Sequence, residues 1–448
     1  MRICELTTHN IGLLGFGREG RATLDILRRN DYNDTLAIFS DNDVNVPENT
    51  RLWIGAKGLS ALSSLDVLIC SPGFSPQHPL RQAANRLGLL QTTATNLFLA
   101  ELRYQQIPLI GITGSKGKST TSVLTHRTLT QAGVASILVG NIGLPALDYL
   151  DEIVSKRLVT VMEMSSYQCA DLLKGLGPNI GCLLDLFPEH LDWHGDITAY
   201  YAAKALLAHS QRQQDVFLCN ANSSFQFADN PPECCFEIIN QRQGLHFNAG
   251  WFYRGDTRLF ADTDMLLRGD HNRQNAVAAL AVAEKQGAKA EDMQTVLSSF
   301  NGLPFRLQNE GMRQGIHFIN DSLSTAPQAA AAALQAIGRS VTTLIAGGYD
   351  RGYEPLALVT AIEQSHLKTL ILIPETGNAI ARCVRENGCD VAIYEVETLA
   401  EAVALAFAKT EKGATCLFSP GAPSYNMYAS FEERGNHFRA LLDQLNAA

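Results

Sequence analysis

The sequence predicts an α/β protein of three domains, each a largely parallel sheet with crossover helices. Three observations carry this. At 448 residues the chain is too long for one ordinary core, and about 100–200 residues per domain gives two to four domains. Short apolar runs alternate with helical stretches along the chain, which is the signature of strands joined by crossover helices. Glycine-rich turns follow the first strand of the first two blocks. Hydrophobic residues make up 46% and charged residues 18%, as expected for a chain folded throughout.

The first block opens with a strand at Asn10-Ile11-Gly12-Leu13-Leu14. The turn Gly15-Phe16-Gly17-Arg18-Glu19-Gly20 follows and leads into a helix ending near Arg29. Strands are expected over 35–39 and 66–70, the latter entering the turn Ser71-Pro72-Gly73. Gly15, Gly17 and Gly20 form G-x-G-x-x-G, with Asp41 about one strand beyond the helix. Three readings stay open: a nicotinamide or flavin site with Asp41 on a ribose, a tight turn without a ligand, or a nucleotide diphosphate that is no redox cofactor. The last is open because a helix N-terminus recognises pyrophosphate itself.

The second block carries the most informative segment. Residues 111–120 read Gly-Ile-Thr-Gly-Ser-Lys-Gly-Lys-Ser-Thr, after the apolar run 107–110. This is close to the phosphate-loop pattern G-x-x-x-x-G-K-[ST], except that Ile112 stands where the first glycine belongs. In such a loop inward-facing backbone N–H groups and a helix N-terminus bind polyphosphate. Lys118 supplies a charge for the outer phosphates, and Ser119 or Thr120 can hold Mg²⁺. A helix is expected over 121–132. Strands over 158–162 and 180–184 lead into Glu163-Met164-Ser165-Ser166-Tyr167-Gln168 and into Asp185 through Asp192, and a helix over 199–208 contains Lys204. Polar groups at the C-terminal ends of parallel strands are where α/β enzymes place chemistry.

The last third restarts after Leu303-Pro304-Phe305-Arg306, with strands over 316–319, 342–346, 369–373 and 414–418, and reads as another doubly wound domain. The expected division is an N-terminal Rossmann-like nucleotide-binding domain at 1–100, a central P-loop ATPase-like domain at 101–304 and a C-terminal Rossmann-like domain at 305–448.

Charge and composition exclude several classes. A net charge of -9 without a Lys/Arg stripe argues against nucleic-acid binding. No apolar run approaches the roughly 18 residues needed to span a bilayer. Residues 1–12 hold one arginine and no long apolar core, so a secretory signal is not expected. Ten scattered cysteines without a C-x-x-C pair point to buried thiols in a reducing cytoplasm.

Taken in order, the motifs resemble the Mur ligase family of cell-wall peptide ligases over nearly the whole chain. The segments are the phosphate loop, Glu163-x-Ser165-Ser166, Glu189-His190-Leu191-Asp192, Lys204, Gly269-Asp270-His271-Asn272-x-x-Asn275, Gly302-Leu303-Pro304-x-Arg306 and Asn320-Asp321-Ser322. The family's own loop lacks the early glycine too, and Lys116 takes the place of its asparagine. Gly140 to Gly143, Ser165 to Gln168, and the tail from Ser419-Pro420 to Phe431-Glu432-Glu433-Arg434-Gly435 are most similar to the branch that joins glutamate to UDP-N-acetylmuramoyl-L-alanine.

The resemblance implies a cytoplasmic, monomeric, ATP-dependent ligase acting through an acyl phosphate. Gly114, Ser115, Lys116, Gly117, Lys118, Ser119 and Thr120 would hold the triphosphate. Asn272 and Asn275 would line the adenine pocket, with a plain helix N-terminus as the bland alternative. Arg306 and Asp321 would meet the nucleotide when the last domain closes. Two Mg²⁺ sites are implied, one on Ser119 or Thr120 with Glu163, the other on His190 with Lys204 as a CO₂-derived carbamate. From the residues alone Lys204 reads as a solvated helix lysine and His190 as a hydrogen-bonded core histidine. The first glycine turn becomes the uracil-nucleotide site, with Arg18, Glu19, Gly73, Asn141, Ser165 and His190 on the UDP substrate.

Glutamate is expected on Thr325, Arg351, Ser424, Tyr425 and Phe431 in the C-terminal, glutamate-binding domain. There the chain departs from the family pattern. Leu323 and Arg351 stand where lysines are usual, and arginine can clamp a carboxylate bidentately where lysine offers a point charge. D-Glutamate is the expectation because it is the family's commoner activity. The two departures and Gly17-Arg18-Glu19-Gly20 are similar to a variant branch that adds L-glutamate. Another Mur step, folylpolyglutamate synthesis, or nucleotide binding without catalysis are the competing readings.

Overall fold

The computed structural model describes residues 1–140, 146–263, 265–267, 269–350 and 354–447. By its contacts the chain divides into two compact units, Met1–Asn301 and Gly302–Ala448.

The first unit contains two doubly wound parallel sheets. Strands β1 (Ile11–Leu14), β2 (Leu36–Ser40), β3 (Thr50–Ile54), β4 (Val67–Cys70) and β5 (Leu90–Thr92) pair in the order β3-β2-β1-β4-β5. Strands β6 (Leu109–Thr113), β7 (Ser136–Gly140), β8 (Val159–Glu163), β9 (Ile180–Leu183), β10 (Val216–Asn220) and β11 (Cys235–Ile239) pair in the order β11-β10-β9-β6-β8-β7. Strand order reverses beside β1 and beside β6, and the crevice beyond the C-terminal ends of such strands is where open α/β sheets bind ligands. Each of these crevices is rimmed by one of the glycine-rich turns.

One element unites the two sheets. The helix Ala94–Tyr104 starts at Thr93, whose hydroxyl accepts a hydrogen bond from Asn96 N at 3.1 Å. Residues 94–102 are all buried, so over this stretch the helix has no solvent face and packs on every side. Leu97, Phe98, Leu99 and Leu102 belong to a single hydrophobic cluster that also holds Ile11 and Val67 of the first sheet and Leu109 and Leu183 of the second. The expected boundary at 100/101 falls inside this helix.

A small antiparallel meander follows, with β12 (Leu245–Asn248), β13 (Trp251–Arg254) and β14 (Thr257–Ala261) held by the stacked rings of Phe252 and Phe260. It was not expected from the sequence.

The second unit is one sheet with β15 (Gln308–Arg313), β16 (Ile316–Asn320), β17 (Val341–Gly347), β18 (Thr369–Ile373), β19 (Ala392–Glu395) and β20 (Thr415–Phe418), ordered β15-β16-β20-β17-β18-β19. Separate apolar clusters cover its two faces. Leu344, Leu370 and Leu417 point to one, and Ile345, Ile371 and Phe418 to the other, as expected for parallel strands buried on both sides. The four expected strands lie in the parallel part of this sheet, and β15 was not expected: it pairs antiparallel with β16, as an edge hairpin.

All ten cysteines are free thiols, and Cys70, Cys169, Cys182, Cys219, Cys234 and Cys416 are buried. Among the described residues, no helix is long and apolar enough to cross a membrane.

Candidate active site

Strand β6 ends at Thr113, and the helix that follows begins at Lys118, three residues before its expected start. Lys118 is therefore the first helical residue, and Ser119 and Thr120 lie in the first turn, where unpaired N–H groups and the helix dipole favour an anion. Gly117 caps this helix in the left-handed conformation, φ 84°. A Cβ there would also lie 2.2 Å from Asn275 Oδ1. Asn275 is thus set directly against the phosphate loop, from the helix Asp270–Glu284, while Asn272 is buried one turn earlier.

Two costs should follow from Gly117→Ala. Left-handed backbone at a residue with a Cβ costs about 1 kcal/mol or more, and the methyl must push Asn275 aside. The variant is expected to lose about 1–3 kcal/mol of stability in denaturant unfolding. Adding Asn275→Ala should recover only the steric share, and full recovery in the double variant would show that the backbone conformation costs nothing.

The remaining loop residues divide into two groups. Lys118 Nζ donates to Gly114 O at 3.0 Å and to Ser115 O at 2.8 Å, so its ammonium lies over the loop. Lys116 pairs with Glu189. Ser115 faces inward instead: it is buried, its N–H donates to Asp185 O, and its hydroxyl is within 2.8 Å of both Phe187 O and Tyr200 Oη. The Ser115 side chain anchors the loop to the strand end beyond β9.

Lys204 lies on the helix Ile197–His209, which is capped by Asp196 through Ala199 N at 2.8 Å. It is no solvated lysine: its exposure is 1%. Nζ donates to Gly114 O at 2.8 Å and to Thr113 Oγ1 at 3.3 Å, and it stands 5.0 Å from the centre of the Tyr200 ring. Burial, and next the charge of Lys118, push its ammonium down to about 7, against the opposing pull of Glu189 and Glu163 among others. Glu163, at the end of β8, is buried at 1% exposure. His190 adopts a left-handed backbone, φ 56°, and its ring centre is 5.0 Å from that of Tyr167. Phosphate loop, Glu163, His190 and Lys204 thus gather at neighbouring strand ends. Among the described residues, no group of three or more His, Cys, Asp and Glu gathers as a metal cage.

The first glycine turn connects to this centre. Ser165 caps the short helix Ser166–Ala170 in a reciprocal capping box with Gln168. Gln168 Nε2 in turn donates to Glu19 Oε1 at 3.1 Å. Burial pushes the Glu19 carboxyl up, against the Gln168 hydrogen bond and the Arg18 charge, and its Oε2 is buried without a hydrogen-bond partner. Arg18 and Gly73 are exposed at the mouths of their turns. Asp41 pairs with His78 at 3.3 Å. Asn141 lies outside the described residues. Arg81, which the sequence did not single out, donates to both Asp171 oxygens, at 2.6 and 3.1 Å, and to Phe74 O at 3.1 Å, tying the turn after β4 to the second sheet.

In the second unit three of the expected glutamate residues, Thr325, Ser424 and Tyr425, follow parallel strands. Thr325 is half-buried after β16. Ser424 is buried and Tyr425 exposed after β20, and the Tyr425 ring centre is 6.2 Å from that of Tyr349. Phe431 opens the last helix, its carbonyl accepting from Ser322 Oγ at 2.8 Å. Arg351 lies outside the described residues. Arg306 is exposed. Asp321 is buried at 2% exposure and accepts from Ser324 Oγ at 2.5 Å, Ser419 Oγ at 2.6 Å and Leu307 N at 3.0 Å. That carboxylate is a hub within its own unit.

Comparisons with known proteins bear on the family and the fold. The family model of the Mur ligase middle domain matches residues 112–283. The UDP-N-acetylmuramoyl-L-alanine–L-glutamate ligase of Xanthomonas axonopodis pv. citri is 34% identical, covering 98% of this chain and 96% of its own. The UDP-N-acetylmuramoylalanine–D-glutamate ligase of Streptococcus pyogenes serotype M5 is 32% identical, covering 99% and 98%. Among solved structures, the UDP-N-acetylmuramate–alanine ligase of Thermotoga maritima superposes with a TM-score of 0.54 at 15% identity, over 98% of this chain and all of its own, which speaks for the fold.

Proposed function

The chain belongs to the Mur ligase family, and from that premise we propose that it is the ATP-dependent ligase joining glutamate to UDP-N-acetylmuramoyl-L-alanine in peptidoglycan precursor synthesis. It acts as a monomer in the cytoplasm. The observation that carries the proposal is the buried Lys204, hydrogen-bonded to the phosphate loop beside Lys118 and electrostatically coupled to Glu163. A plain nucleotide-binding protein has no use for a second, desolvated lysine there.

The reaction begins with transfer of the γ-phosphoryl group of ATP to the alanine carboxylate, giving an acyl phosphate and ADP. The glutamate amine then attacks the acyl carbon, and the tetrahedral intermediate expels phosphate and leaves an amide. Phosphoryl transfer needs positioning and charge neutralisation more than covalent help. The loop amides and Lys118 supply both, while Asn275, wedged against Gly117, fixes the loop's end. Glu19, Gln168 and Ser165 form a chain of contacts from the uracil-nucleotide turn to the end of β8, which orients the acceptor's carboxylate end.

A hard dication does not fit beside an ammonium, and the donor set fits Mg²⁺ once Lys204 carries an anion. A neutral amine attacks CO₂ through its lone pair, forming an N–C bond and releasing one proton to give a carbamate. An amine pushed down to about 7 is neutral often enough for this near neutral pH. Ser119, Thr120 and Glu163 would then hold one Mg²⁺, and His190 with the carbamate another. Bound there, the ions would neutralise charge on the transferring phosphoryl group.

Both enantiomers of glutamate are carried by relatives matching the whole chain. D-Glutamate is the family's commoner substrate. L-Glutamate is the second reading, favoured by the L-glutamate ligase at 34% identity and by Leu323 and Arg351 in place of lysines. Phosphate release measured with ATP, UDP-N-acetylmuramoyl-L-alanine and each glutamate enantiomer separately tests the function. Release should require both co-substrates, and product analysis assigns the enantiomer. Release without the UDP substrate, or none with either enantiomer, would sink the proposal.

A further inference from the structure

Arg434 is a large side chain with 1% exposure in the second unit, and among the described residues its hydrogen bonds reach no carboxylate. Nε donates to Ser322 Oγ at 3.1 Å, and Nη2 to Ser322 O at 2.9 Å. Nη1 donates to Ala422 O and to Pro423 O, both at 3.0 Å. The Pro423 carbonyl also accepts from Tyr349 N at 2.9 Å. Gly348 passes so close that a Cβ there would sit 2.4 Å from Pro423 O and 3.0 Å from Arg434 Nη1. One guanidinium therefore clasps the chain after β16 and after β20 and lies against the turn after β17. Burying a cation among carbonyl dipoles alone is costly, and burial pushes the Arg434 guanidinium down to about 10. A side chain serving stability alone would do as well with an apolar group of its size.

We propose that Arg434 is the positioning residue of the amino-acid pocket, setting the segments after β16, β17 and β20, with Thr325, Tyr349 and Ser424, in mutual register through the planar fork of its guanidinium. The inference rests on the glutamate-ligase reading. Thr325 lies three residues after Ser322, Ser424 directly follows Pro423, and Phe431 is held through Ser322 Oγ. Lysine cannot replace the fork, because one ammonium on a flexible stem does not reach four acceptors in fixed directions.

The test uses Arg434→Lys in the full-length protein with two nucleophiles. Glutamate must use the pocket, whereas hydroxylamine attacks the acyl phosphate directly and yields a hydroxamate. Misplacement by about 1 Å can cost on the order of 10²-fold. The glutamate KM should therefore rise about tenfold to a hundredfold, with those for ATP and the UDP substrate changing far less. Hydroxamate formation should fall at least tenfold less than glutamate transfer. Equal losses with both nucleophiles, or an unchanged glutamate KM, would overturn the inference. Ser322→Ala, which removes one acceptor and keeps the others, should shift the glutamate KM in the same direction by a smaller factor, and no shift there would also overturn it. A wild-type enzyme that forms hydroxamate but never transfers glutamate would instead refute the parent reading.

Discussion

Lys118→Ala is expected to lower ATP-dependent phosphate release by at least about 10²–10³-fold, the usual loss when a preorganised charge aimed at the transition state is removed. The fold should survive. Lys118 is half-buried, and it donates to Gly114 O and Ser115 O, carbonyls of the loop itself. Its charge also burdens Lys204, whose ammonium it helps to push down, so removing it relieves a like-charge repulsion. Denaturant unfolding should accordingly show no loss, and turnover nearly all of it. A correctly folded Lys118→Ala protein with near-wild-type turnover would remove the basis for the ATP site.

The second large effect is expected at Lys204. Lys204→Ala should reduce turnover by on the order of 10²-fold or more, and short carboxylic acids or bicarbonate should restore part of it by supplying the missing anion. Lys204→Arg keeps the charge and cannot form a carbamate, so it should be inactive. Full activity in that variant rules out the ligand role. The free amine also has a pH signature. Its pKa is lowered on folding, from 10.5 to about 7, so between those values the unfolded chain holds a proton that the folded chain has released. Stability then rises with pH through that window, and the penalty is greatest below it. In CO₂-free buffer, wild type should gain on Lys204→Met between about pH 6 and about pH 9. A constant difference in unfolding free energy would argue against a perturbed amine.

The central strands were legible because they carry a two-sided apolar signal. β1, β4, β6, β8 and β9 are buried at every position, and their runs stand out from the turns around them. β3, β5, β15 and β19 lie at sheet edges and are mostly half-buried or exposed, since one ladder and one face suffice there, so their mixed sequences carry no such signal. The phosphate loop was legible because each residue type has a local task. The inward turn of the Ser115 side chain was not legible for the same reason: it depends on Tyr200 and Phe187, 85 and 72 residues away. Arg434 stood in a quoted motif, yet nothing in Phe431-Glu432-Glu433-Arg434 distinguishes a buried guanidinium from a surface one. Only the fold brings Ser322 and Pro423 around it.

The helix Ala94–Tyr104 has a further consequence for how this architecture can be cut and recombined. Because it is packed by residues of both neighbouring sheets, a chain ended at residue 100 would strip Leu97, Phe98 and Leu99 of their neighbours in the second sheet and leave Leu102 behind. Exchange of the first sheet between related chains therefore has no clean joint at that point. A graft that succeeds has to carry the whole helix and bring along the surfaces it meets on both sides.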